Sequence, residues 1–179
     1  ALLHTGADRY SPLSGAELVA RKVASLVIMA GHIENPDYVE YNVENDIPSC
    51  QEVFAKWPGE IVVTPFELGL AAKLPASCLK NDFGWTDHHP ALDAVMAARG
   101  QYADYPTWDM TAVVYAVEGC AGYFTLSRPG TITVTDKGCT HYQADSRGRH
   151  RYMMSDHNQS ALLVKHMCDL VSRKPKNKK

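Results

Sequence analysis

Glu40 and Asn42 have the side chains best suited to holding a polyhydroxylated ligand. A carboxylate accepts hydrogen bonds and a carboxamide both donates and accepts them, so the pair can bind neighbouring hydroxyl groups. In extended backbone, side chains two residues apart point to the same side. The spacing therefore predicts a sugar-binding element, unless Asn45 or Asp46 simply caps a helix that starts near Pro48.

The elements around this motif indicate an α/β fold. The apolar run 26–31 has the length of a buried strand of a parallel sheet, covered on both faces, and ligands bind beyond the carboxyl end of such a strand. We predict an open, doubly wound, mostly parallel sheet with a small antiparallel hairpin between Tyr123 and Tyr142, and a linker at 146–149. The predicted helices are 15–23, 48–56, 90–100, 109–117 and 159–171, and the predicted strands are 25–29 and 60–65.

Composition excludes several classes of function. A net charge of −2 over 179 residues gives no electrostatic footprint for nucleic acid, and we expect the basic stretch 173–179 to be a solvated tail. No apolar stretch approaches the roughly 20 residues that cross a bilayer, so we expect no membrane contact. We expect a cytoplasmic location unless an export signal precedes residue 1. Five cysteines without a Cys-x-x-Cys pair predict free thiols.

Four segments, in this order, resemble the nucleoside hydrolases, the inosine-uridine-preferring N-ribohydrolases. They are Met-x-Gly followed by Glu-Tyr-Asn-x-x-x-Asp in 29–46, the strand in 61–67, the helix start Pro-Thr-Trp-Asp-Met-Thr in 106–113, and the β-rich stretch 123–134. The resemblance implies calcium-assisted hydrolysis of the bond between ribose and base, with a nucleoside as substrate. Such a reaction passes through a transition state that resembles an oxocarbenium ion.

The resemblance also implies roles for single residues. Glu40 and Asn42 would hold ribose hydroxyls, Asn35 would add a further ribose contact, and Met29 would line the sugar pocket. Asp109 would be a calcium ligand, since calcium binds carboxylate oxygens. Three of these residues have a second interpretation from the sequence. Asn35 suits a turn, Met29 suits the core and Asp109 suits the first turn of a helix.

Trp108 departs from the family pattern. Many family members have a histidine at this position, immediately before the aspartate, which can protonate the departing base; an indole cannot do so near neutral pH. Trp108 could instead assist catalysis by stacking on a purine base, or it could pack in the core. His32, in the loop after the first predicted strand, is the candidate substitute for the acid.

The aspartate cluster Asp-x-Asp-x-x-x-Asp-Asp, with which the family begins, is not found in this sequence. We therefore expect residues 1–179 to be the C-terminal part of a single nucleoside hydrolase-like domain. The N-terminal segment of the same protein, or a companion chain, would complete the calcium site, and we expect a homo-oligomer. Two hypotheses remain: an enzyme once that segment is present, with this part alone inactive, or a nucleoside- or sugar-binding module without catalysis.

Overall fold

The computed structural model describes residues 1–175, so part of the predicted tail, residues 176–179, lies outside the described residues. A 3-10 helix, Leu2–His4, precedes α1 Gly15–Lys22, α2 Tyr41–Asn45, α3 Ile47–Lys56, α4 Phe66–Ala71, α5 Ala76–Asn81, α6 Pro90–Arg99, α7 Trp108–Glu118 and α8 His157–Val171. The strands are β1 Leu26–Met29, β2 Ile61–Thr64, β3 Lys73–Leu74, β4 Tyr105–Pro106, β5 Thr125–Leu126, β6 Gly130–Val134, β7 Thr140–Ala144 and β8 His150–Met154.

The main sheet has three parallel strands at one side and an antiparallel hairpin at the other. Its order is β1, β2, β8, β6, β7, with β5 paired to β8. Strands β1, β2 and β8 run parallel, while β6 runs antiparallel to both β8 and β7. Met29 pairs with Thr64, so the carboxyl ends of β1 and β2 lie side by side. The α/β class and the hairpin near the C-terminus are confirmed.

Helices cover both faces of the sheet because β2 is apolar on both sides. Val62 packs into a cluster formed mainly with helices α4 to α8, whereas Ile61 and Val63 pack against α2, α3 and β6. All three side chains are at most 1% exposed. Burying each one contributes roughly 1.5–3 kcal/mol. Strand β2 is therefore the rigid centre that positions the residues following it.

Strand β1 differs from its prediction. We predicted a strand covered on both faces, but all four residues of β1 are only half buried. One edge of β1 pairs with β2, and no strand among residues 1–175 pairs with the other. Helix α7 packs against β1, yet its Val113 and Val117 are 62% and 78% exposed. This edge of the described structure is therefore open and apolar.

The stretch predicted as a linker, 146–149, is a turn that leads from β7 into the central strand β8. Strand β8 was not predicted, because its sequence from His150 to Met154 contains no β-branched residue. It forms because β2 on one side and β6 on the other supply hydrogen-bonding partners.

None of the helices in residues 1–175 combines the length and apolarity that a bilayer crossing requires.

Candidate functional site

A cavity of about 360 Å³ lies where β1 and β2 end. Its lining includes five of the seven residues that the sequence predicted for a site: Met29, Glu40, Asn42, Trp108 and Asp109. Tyr41 and Phe66 complete the lining. The cavity thus opens at the carboxyl edge of the parallel strands, where ligands of such sheets bind.

Glu40 is a buried helix cap. The residue is 2% exposed and directly precedes α2. Its Oε1 accepts a hydrogen bond from Asn42 N at 3.0 Å. Its Oε2 accepts from Val43 N at 3.4 Å and from Gly31 N at 3.1 Å. The prediction that Glu40 and Asn42 lie in extended backbone is therefore wrong, since Asn42 belongs to the first turn of a helix. Three backbone donors fix the carboxylate and leave it little capacity for a ligand.

Asn42 keeps an oxygen for a ligand. Its side-chain nitrogen lies 2.8 Å from Met29 Sδ and 3.4 Å from Met29 O, so the amide packs on the end of β1. Its side-chain oxygen has no hydrogen-bond donor among residues 1–175, and the residue is exposed. Asn42 can therefore accept a hydrogen bond from a hydroxyl group of a ligand. Asp46, as the alternative interpretation held, caps α3 by accepting from Ser49 N.

Trp108 and Phe66 form an aromatic wall. Their ring centroids are 5.4 Å apart with an interplanar angle of 27°, and Trp108 Nε1 donates to the Phe66 carbonyl at 3.0 Å. The indole packs so closely on α4 that a Cβ at Gly69 would lie 2.4 Å from Trp108 Cδ1. Trp108 thus packs between helices and also lines the cavity. Its N–H is already used, so the indole offers a ligand only its apolar surface.

Asp109 lies in the first turn of α7, where an acidic residue interacts favourably with the helix dipole. The side chain is exposed and has no hydrogen-bonding or ionic partner among residues 1–175. Nor do these residues contain a group of three His, Cys, Asp or Glu side chains that could hold a metal ion. Calcium binds six to eight oxygens. The described residues therefore do not fit a calcium ion by themselves, and calcium binding by Asp109 stays a prediction.

His32 lies outside the cavity lining, behind Phe66. Its ring stacks on Phe66 with centroids 5.4 Å apart and contacts Tyr38 at 5.1 Å. Its Nδ1 is 3.1 Å from Glu67 Oε2. The prediction that His32 reaches over the pocket as a substitute acid is thus not supported by this geometry, because an aromatic ring separates it from the cavity.

Asn35 is also outside the cavity. The residue is exposed, and its side-chain oxygen accepts from Asp37 N at 3.2 Å. This bond closes a turn in which the side chain mimics the backbone. The ribose contact predicted for Asn35 is therefore corrected to the turn that the sequence also allowed.

The loop 31–35 is rigid because every backbone N–H in it has an acceptor. Residues 31 and 32 donate to Glu40 and to Thr140 Oγ1, residues 33 and 34 both donate to Glu67 Oε1 at 3.0 Å, and residue 35 donates to His32 Nδ1. Gly31 has φ = +74°, and a Cβ there would lie 2.6 Å from Thr140 Oγ1. Glu67 thus fastens this loop to the start of α4.

No family model matches the sequence, and no curated protein matches it. Among solved structures, a plant nucleoside hydrolase superimposes with a TM-score of 0.60 at 18% sequence identity. The fold is nucleoside hydrolase-like. The match covers 85% of this chain but only 55% of that structure, so the chain spans about half the length of the protein it matches. At this identity the likeness concerns the fold alone.

The sequence interpretation missed Tyr41 and Phe66. Tyr41 is 72% exposed between Glu40 and Asn42, and Phe66 lies two residues after the end of β2. The available signal was their position, since residues just beyond the carboxyl ends of parallel strands face a ligand crevice. An exposed aromatic residue beside the polar pair was the second signal. Together with Trp108 they make the cavity wall mainly apolar, as small-molecule sites are.

Proposed function

We propose that this nucleoside hydrolase-like chain binds a ribonucleoside in the cavity between Asn42 and Trp108. In the intact protein the nucleoside would be hydrolysed at its N-glycosidic bond to free base and ribose. The observation that supports this proposal is the cavity itself, which brings to one edge of the sheet aromatic surfaces, an amide oxygen and a carboxylate, neither of the last two with a partner among residues 1–175.

Cleavage of the bond requires that the sugar be held, that the base be able to leave and that a water be activated. Asn42 would accept a hydrogen bond from a ribose hydroxyl. Tyr41, Phe66 and Trp108 would contact the base, and base stacking on an aromatic side chain contributes roughly 1–3 kcal/mol. This arrangement favours departure of the base by stacking over protonation by His32.

Water activation needs more than this chain's described residues provide. Asp109 is the exposed carboxylate of the lining. Among residues 1–175 it does not belong to any group of three side chains that could hold a metal ion. We propose that Asp109 contributes to a calcium site that further carboxylates, from a segment outside these 179 residues, would complete. On this proposal residues 1–179 alone hydrolyse nothing.

A second candidate is a binding module that keeps the nucleoside pocket without catalysis. Two observations favour it: Asp109 has no metal-binding companions among residues 1–175, and the indole N–H of Trp108 is committed to Phe66. Such a module would bind nucleosides and release no ribose under any condition.

The test is release of reducing sugar from inosine by the full product of the gene that encodes this chain. If the enzyme proposal holds, hydrolysis requires calcium and falls at least about a hundredfold in Asp109→Asn, as for loss of a group acting in the transition state. The exposed Asp93→Asn serves as the matched control. Binding of inosine without hydrolysis would support the module, and neither binding nor hydrolysis would contradict both.

A further inference from the structure

A second and larger cavity, of about 560 Å³, lies at the opposite end of β2. It is enclosed by α3, by β6, by the turn 145–149 and by the first residue of β8, His150. His150 pairs with Ile61, the first residue of β2, so this cavity is at the amino ends of the parallel strands. The nucleoside cavity described above is at their carboxyl ends.

His150 presents a hydrogen-bond donor to this cavity. The residue is 6% exposed, and its Nδ1 accepts from Ile132 N at 2.8 Å. In a neutral imidazole whose Nδ1 accepts, the proton is on Nε2. Nε2 has no acceptor among residues 1–175, so it is free to donate to a ligand. The Phe54 ring meets the His150 imidazole edge-on, with the two ring centroids 5.7 Å apart, and so helps to hold the imidazole in place.

Two arginines supply positive charge at the same cavity. Arg149 donates from one guanidinium nitrogen to the Pro58 carbonyl at 2.6 Å, which anchors its side chain and leaves its other N–H groups available. The Arg147 side chain is 92% exposed, and its backbone N donates to Asp145 Oδ1 at 2.9 Å. Burial, and then the nearby charge of Arg149, lower the pKa of His150, so the ring stays neutral with its donor in place.

We propose that this cavity binds a small phosphomonoester, with its phosphate between the His150 imidazole and the guanidinium groups of Arg147 and Arg149. Guanidinium groups match the oxygens of phosphate in geometry and charge. The volume exceeds what a phosphate group fills and is in the range of small-molecule sites. Phe54 and Ile132 provide an apolar wall for the organic part. Asp145, which accepts from the Arg147 backbone N and lies 3.9 Å from Arg147 Nε, is the one carboxylate among the described lining residues, and a phosphate would compete with it for that guanidinium.

The test follows the imidazole nitrogens of His150 by NMR while inorganic phosphate, and then phenyl phosphate, replaces chloride at constant ionic strength. We expect a saturable shift of the His150 Nε2 signal and tighter binding of phenyl phosphate than of phosphate. The native Arg147 side chain is so exposed that its replacement should not affect folding. In Arg147→Gln we expect the affinity for phenyl phosphate to fall about tenfold, because one charged contact is lost. Arg21→Gln, at an exposed position outside the cavity lining, should bind as the unaltered chain does.

Three results would overturn the proposal. The first is a His150 signal that does not move with either phosphate. The second is equal affinity in Arg147→Gln and Arg21→Gln, which would mean that the cavity arginine does not contact the anion. The third is an equal shift with acetate, which would mean that any anion screens this region and that no phosphate site exists.

Discussion

The Glu67 carboxylate lies 3.1 Å from His32 Nδ1, and the same nitrogen accepts from the backbone N of Asn35 at 3.1 Å. One nitrogen cannot donate to Glu67 and accept from Asn35 at once. With Nδ1 accepting, Glu67 Oε2 is left as a buried oxygen that has no donor within residues 1–175. Oε1, in contrast, accepts from the backbone N of Ile33 and Glu34. Glu67 therefore holds the loop mainly through Oε1.

Replacing Glu67 tests this division of roles. Glu67→Ala removes both acceptor bonds to the loop, and we expect the free energy of unfolding in urea to fall by about 2–3 kcal/mol. Glu67→Gln retains a carbonyl oxygen that can accept both loop bonds and changes only the atom that accepts none of them, so the loss should be below about 1 kcal/mol. The exposed Glu34→Ala, which loses no side-chain bond, is the control. Equal losses in the Ala and Gln variants would refute the role assigned to Oε1.

Glu40→Gln should be more damaging, because three backbone N–H groups converge on that buried carboxylate. A carboxamide keeps one acceptor oxygen and turns an NH2 group toward at least one donor. We expect a loss of about 2–4 kcal/mol in unfolding free energy, in the range for charged buried hydrogen bonds. Glu44→Gln, in the same helix but exposed, should lose almost nothing. Comparable urea midpoints for the two variants would contradict the capping role.

The contact between α4 and the aromatic wall can be probed at Gly69. A Cβ there would lie 2.4 Å from Trp108 Cδ1 and 2.5 Å from Trp108 Cα, which is backbone and cannot move alone. We expect Gly69→Ala to lower the unfolding free energy by roughly 1–3 kcal/mol, as overpacking does. It should also shift the indole N–H signal of Trp108. Gly84→Ala, with nothing within 4 Å of its Cβ, is the matched control, and its near-neutrality is part of the prediction.

The lowered pKa of His150 makes stability depend on pH. An unfolded histidine binds a proton as pH falls through about 6.5, whereas folded His150 does so only at lower pH. Between these two values the unfolded state holds more protons, so stability falls as pH falls. The slope from this one group is at most about 1.4 kcal/mol per pH unit. Urea titrations from pH 7.5 down to pH 5 should show a weaker slope in His150→Gln than in the unaltered chain, and equal slopes would contradict this account of His150.

The sequence predicted most helices closely because their caps are local. Ser14 and Glu17 form a capping box at α1, and Asp156 and Gln159 form another at α8. Strand β8 could not be predicted this way, since His150 to Met154 has no strand-favouring pattern and depends on its neighbours β2 and β6. Its formation is a tertiary effect that overrides local propensity.

The sequence brought together residues that do line one cavity, but it did not predict their local geometry. Glu40, Asn42, Trp108 and Asp109 do meet at one cavity, but Glu40 serves as a helix cap, a position where Ser, Thr, Asp and Asn are the usual residues. His32 failed as a cavity residue because Phe66 stacks in front of it. That arrangement depends on where α4 begins relative to the loop after β1, which no local sequence pattern specifies.

The most direct test of the nucleoside-binding claim is an NMR titration of this chain with inosine in the presence of calcium. The indole N–H signals of Trp57 and Trp85, which lie outside the cavity lining, serve as internal controls for Trp108. We expect saturable shifts of the Trp108 indole and the Asn42 side-chain amide, with both controls unmoved and weaker binding in Asn42→Ala. No shift at Trp108, or equal shifts at all three indoles, would contradict it.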